Sequence, residues 1–121
     1  MNKIKEITFM VGRFVQGFDL YVLSENELVV GKTHEDVPAV RFNVDGNFFD
    51  NVFEIVGKWN NEYLEQASDG TIWAVMMTDA VGKKYYSQGD NTYPDNYNEL
   101  IKLLSDATGG LAAKHYIETV V

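Results

Sequence analysis

The chain has no cysteine, only two prolines and two histidines, and ten cationic side chains against eighteen carboxylates. Each shortage removes a class of protein. Without cysteine there are no disulfides, no thiolate chemistry and no thiolate-held zinc. The net charge of -8 argues against a nucleic-acid phosphate surface, which needs clustered cations, and equally against an anionic membrane. In the first residues, Met1 to Phe9, Glu6 and Thr8 interrupt any apolar run. Neither a signal peptide nor a membrane span is read there, and a cytoplasmic location is the expectation. His34 and His115 stand far apart, and no serine lies in a Gly-x-Ser-x-Gly context. A hydrolase triad is therefore unsupported, and each histidine reads as a solvated or core-edge residue.

What is present is ordinary globular material in 121 residues, with 13% aromatic side chains. This predicts one domain over 1–121 with a single core. The acids are scattered and never form a block. They read first as solubility, and second as attraction to a basic partner or mimicry of nucleic acid.

Periodicity predicts an α+β fold. Ile7, Phe9 and Val11 alternate with Glu6 and Thr8, the pattern of a half-buried strand. Phe18 to Leu23 and the segment from Leu28 follow as strands of an antiparallel meander, and Ala39 to Val44 alternates again. Asp45-Gly46-Asn47 announces a helix whose apolar positions are Phe48, Phe49, Val52, Phe53, Ile55, Val56 and Trp59. Asn60 to Gly70 reads as a polar connector. Thr71 to Thr78 carries apolar residues at every parity, so it is a central strand covered on both sides, or on one side by helices and on the other by a partner. Lys83 to Gln88 reads as a lysine-bearing edge strand. Asn96 and Glu99 have capping-box spacing ahead of a helix through Leu104, which Gly109-Gly110 ends. The expectation is an antiparallel sheet of about five or six strands carrying two main helices, in the order β-β-β-α-β-β-α, with a last strand favoured over Tyr116–Val121.

The carboxylates Asp69, Asp79, Asp90 and Asp95 all fall in turns, an arrangement that would gather them at one end of the sheet and suggests calcium or paired-carboxylate chemistry. Turn aspartates also bond their own backbone, however, and the Asp90–Asp95 spacing fails the calcium-loop pattern. No catalytic residue, no metal ligand and no cofactor is assigned. Gly89 reads as a positive-φ residue where the chain leaves an edge strand. The outward chemistry of the loop before the second helix rests on Asp90, Asn91, Tyr93 and Asp95, which together form the candidate binding loop.

Asp69-Gly70-Thr71 with Trp73, then Gly89, Asn91, Tyr93-Pro94, Asn96 and Leu100, preceded by Trp59 and Tyr63, resembles a pattern in small uncharacterised bacterial proteins. In these a DGTxW strand, a hairpin return and a GxNxYPxN loop introduce a helix. The resemblance covers the second half of the chain and the opening meander only in outline. It implies a compact α+β domain and carries no activity or catalytic residue with it.

Small size, acidity and the lack of a catalytic constellation point to a non-catalytic protein-binding protein, such as an immunity protein or an inhibitor of a nuclease or host-defence system. Its partner would be a protein, a basic one being the charge-matched choice. Direct nucleic-acid or membrane binding is not expected, and the apolar strand at Val75 to Met77 leaves room for a homodimer. One rival is a small-molecule or carbohydrate-binding module lined by Trp59, Tyr63, Tyr85, Tyr86, Tyr93 and Tyr97. The other is an enzyme using paired carboxylates, Asp69 with Asp90 or Asp95.

Overall fold

A computed structural model describes residues 2–13, 16–33, 38–64 and 71–117. Strands β1 (Ile4–Arg13), β2 (Gly17–Leu23), β3 (Glu27–Lys32) and β4 (Val40–Asn43) precede helix α1 (Gly46–Val56). Then come β5 (Glu62–Leu64), β6 (Ile72–Asp79), β7 (Lys84–Asp90) and helix α2 (Tyr97–Ala107), followed by a short 3-10 turn over Ala113–His115. All seven strands join one sheet in the order β4-β3-β2-β1-β6-β7-β5, antiparallel except for the β5–β7 pair. The fold is α+β, with β1 at the sheet's centre.

Alternation decides which side is buried. Ile7, Phe9 and Val11 of β1, Tyr21 and Leu23 of β2, and Trp73, Val75 and Met77 of β6 point to one face and are buried. There they pack with Phe49, Val52 and Val56 of α1 and Leu100, Ile101 and Leu104 of α2. Removing a large apolar side chain of this kind from water contributes about 1.5–3 kcal/mol, so this face carries most of the stabilisation. Helix α1 starts as its sequence suggests, with the Asp45 carboxylate accepting from the Phe48 N–H at 2.9 Å. Helix α2 ends at Gly109 and Gly110, both with positive φ, which lets the Gly110 N–H close back on the Ser105 carbonyl.

Four local expectations are corrected. Within the stretch read as a connector, Glu62–Leu64 pairs in parallel with Gln88–Asp90, so β7 is an edge only along its lysine-bearing first half. Gly89 does not have positive φ, whereas Asn91 does, at 56°. A Cβ on Gly89 would overlap the Trp73 indole, 2.5 Å from Cε2, and sit 2.6 Å from the Thr92 carbonyl oxygen. Glycine is therefore required there for close approach. Tyr116 and Ile117 are not in a strand, and the rest of the predicted last strand, 118–121, lies outside the described residues. The Ile117 backbone is instead held at both its N–H and its carbonyl by the Asn98 side chain, at 2.9 and 2.8 Å.

The fourth concerns Asn96. It occupies the cap position of α2, but its side chain makes no capping bond. Its Oδ1 accepts from the Trp59 indole N–H at 2.7 Å, tying the end of α1 to the start of α2. Asn96→Ala should cost about 1.5 kcal/mol, because the half-buried indole N–H loses its acceptor. Asn96→Ser, a good capping residue too short to reach Trp59, should cost nearly as much. Urea unfolding of both variants measures this, and a serine variant as stable as wild type would restore the capping role.

Candidate functional site

The four residues of the predicted binding loop do not converge. Asp90 ends β7 opposite Ile72, on the sheet face away from the helices. Asn91 is exposed, its backbone N–H bonded to the Thr71 carbonyl at 2.9 Å. Tyr93 turns inward, its ring 4.7 Å from that of Tyr97 in an edge-on contact. Asp95 is exposed. Neither carboxylate side chain, of Asp90 or of Asp95, has a polar partner among the described residues. Asp69 and His34 lie outside the described residues.

The aromatic cleft does not form either. Trp59, Tyr63, Trp73, Tyr93 and Tyr97 stack and abut one another at centroid distances of 4.7–6.5 Å. Trp73 and Tyr97 are fully buried, and the others pack against them. They are core. Tyr86 alone of the set is largely exposed, at 61%, and it points to the opposite face.

That opposite face is the larger feature. Register places Val29, Val22, Thr8, Met76 and Tyr86 in one row across β3, β2, β1, β6 and β7. A second row runs Gly31, Leu20, Met10, Ala74 and Gln88, and a third includes Phe18, Gly12 and Ile72. Of these, Tyr86 and Gln88 are exposed and the rest only half-buried, and the described helices pack on the other side. At a strand spacing of about 4.8 Å, five strands make a patch roughly 20 Å across. Around it, register puts Glu6, Glu27, Glu62 and Asp90 on the same side, with Arg41 and Lys84 as the cations it places there among the described residues. Arg41 already pairs with Glu27 at 2.7 Å. The rim is acidic.

A polar centre that sequence reasoning missed lies on the helix-bearing face, at the sheet end formed by Arg13, Gly17 and Lys32. Asp19 is buried, and its Oδ2 meets His115 Nε2 at 2.7 Å and Lys114 Nζ at 2.9 Å. Lys32 stands across the strand pair, with Nζ 3.8 Å from Oδ1. Burial pushes the Asp19 carboxyl up, but hydrogen bonds from Lys114 and His115 and their charges more than offset this, leaving it below the usual carboxylate value. Burial lowers the His115 pKa, and the bond to Asp19 restores only part of it. The ring is thus neutral at pH 7, with Nε2–H donating to the carboxylate, which leaves Nδ1 as an acceptor. Burial, with the same carboxylate beside it, pushes the neighbouring Tyr21 hydroxyl well above its ordinary value. Asp19 and His115 are 96 positions apart. The one available signal was parity: Asp19 shares the inward phase of Tyr21 and Leu23, where an acid needs a partner.

No family model, no curated protein and no solved structure matches this chain. None of the described helices is long and apolar enough to cross a membrane.

Proposed function

We propose that the protein acts without catalysis, by docking the open face of its sheet against a basic protein. The observation that carries this reading is the half-buried apolar centre spread over five strands opposite the helices, inside an acidic rim. An apolar core with a polar rim is the anatomy of a protein interface. A patch roughly 20 Å across plus its rim approaches the about 800 Å² per partner of a standard one. Charge selects the occupant. A second copy would set an excess of acids against the same excess and bring together two chains of -8. A basic partner is attracted instead, and its encounter is steered by the field of the whole chain. Proteins that must hold nucleic-acid phosphate carry such surfaces, so the reading includes an inhibitor or immunity protein directed at a nuclease.

The test immobilises wild type and a Leu20→Lys/Met76→Lys variant, matched for circular dichroism and urea midpoint, in extract from the cells that carry the gene. The expected result is a basic protein retained by wild type, released by high salt and absent from the variant. Equal retention by both baits, or no basic protein on either, counts against the proposal. So does a wild-type dimer in light scattering that the double substitution dissociates, because that assigns the face to a second copy.

A further inference from the structure

The centre around Asp19 opens into two adjoining clefts on the helix-bearing side, so a ligand held there does not depend on the reading of the open face. One cleft, about 520 Å³, is polar: Arg13, Gln16, Lys32, Thr71, Lys114 and His115 line it with Asp19. The other, about 310 Å³, is mainly apolar, with Tyr21, Val30, Pro38, Val40 and Leu111 in its wall. Asp19, Lys32 and Lys114 belong to both, so the charged group at their junction could be reached from either side.

Charge sets this place apart from the rest of the molecule. The chain has ten cations and a net charge of -8, yet the polar cleft gathers Arg13, Lys32 and Lys114 against the single carboxylate of Asp19. With His115 neutral, the balance is two positive charges. Asp19 needs fewer cations than it has: Lys114 and His115 already meet it at hydrogen-bond distance, whereas Lys32 stands off at 3.8 Å. Arg13 makes no ion pair among the described residues. Arg13 and Lys32 are therefore the charges a bound anion would meet.

We propose that the two clefts together bind a small organic phosphate monoester. The dianionic head would lie among Arg13, Lys32 and Lys114, where it balances the surplus charge. The apolar body would lie against Val30, Val40 and Leu111, the last two being about half exposed. Arginine supplies a forked donor suited to phosphate oxygens, and the two ammonium groups supply point charges beside it. Asp19 and His115 act as positioning residues: they hold Lys114 and the 3-10 turn in place, while Asn98 clamps the chain just beyond at Ile117.

Calorimetric titration of the full chain with phenyl phosphate, inorganic phosphate and benzoate tests the assignment. Phenyl phosphate should bind saturably and more tightly than either of the others, since only it offers both a dianion and a ring. Arg13→Gln and Lys32→Gln should each weaken it about tenfold, the usual effect of losing a charge-assisted hydrogen bond, with unchanged unfolding midpoints. Lys102→Gln, exposed on α2 and outside the clefts, should leave it unaltered. Absence of saturable binding, affinity indifferent to Arg13 and Lys32, or inorganic phosphate binding as well as phenyl phosphate overturns the proposal. A phosphotyrosine peptide binding more tightly than phenyl phosphate also overturns it, in favour of a phosphorylated protein.

Discussion

Gly89→Ala is expected to destabilise the domain by about 3 kcal/mol, at the upper end for overpacking a filled core. The added methyl would overlap the Trp73 indole, which is wholly buried, and crowd the Thr92 carbonyl that accepts the indole N–H at 2.9 Å. None of the three can yield cheaply. Trp73 is wedged between Trp59, Tyr63 and Tyr97, β7 is held at Gly89 by β5 and β6 together, and Thr92 belongs to the turn that launches α2. Because φ at Gly89 is not positive, relief of backbone strain plays no part. Urea denaturation followed by tryptophan fluorescence measures the loss. An alanine variant with wild-type stability would show that the close approach of indole and strand is wrong.

Asp19→Asn should cost about 2–3 kcal/mol at pH 7. The carboxylate is 11% exposed and its His115 partner 12%, so their bond is worth more than a surface pair. The lysines are about half exposed and add little through screened attraction. The pH dependence carries the sharper signature. The depressed Asp19 pKa contributes stability that is fully present above the ordinary value of 3.8 and is lost as pH falls through the folded value. The depressed His115 pKa makes the unfolded chain the better proton acceptor below 6.5, so stability also declines as pH falls from there toward the folded value. In Asp19→Asn the lower limb should shrink to what Asp79 contributes, whose carboxyl also lies below its usual value because, against burial, the Lys83 and Val81 N–H groups bond it. The His115 decline should extend to lower pH, since the ring has lost the carboxylate that raised its pKa while Lys32 and Lys114 remain. Unfolding midpoints measured between pH 3 and 8 resolve both limbs. Parallel curves for the two proteins would contradict the charge assignment.

These two sites also show where sequence reading runs out. Period-2 alternation located β1 and its inward residues, because burial on one face imposes that pattern directly; β2 and β6 were legible as strands between turns, but not their inward side. The Asp45 cap of α1 was legible because it acts over three residues. Strand β5 was not, because three residues carry too little pattern and pair in parallel with a segment more than twenty positions on. Asn96 and Gly89 each had a plausible local role, cap and turn, and tertiary contacts with Trp59 and Trp73 assign them otherwise. The apolar residues at both parities of β6 fit a strand covered on both sides, or by helices on one side and a partner on the other; in the structure the described helices cover one side of it. Of the predicted loop, Tyr93 went to the core and Asp90 to the rim of the open face, so only the latter touches the proposed function.

The methionines offer the most direct test of the proposed function. Met10 and Met76 lie on the open face, whereas Met77, next in sequence, is in the core. With methyl-labelled methionine and the basic protein recovered by the wild-type bait, the Met10 and Met76 signals are expected to shift or broaden on complex formation while Met77 holds its position. A saturated complex in which Met10 and Met76 are unchanged would contradict docking on the open face.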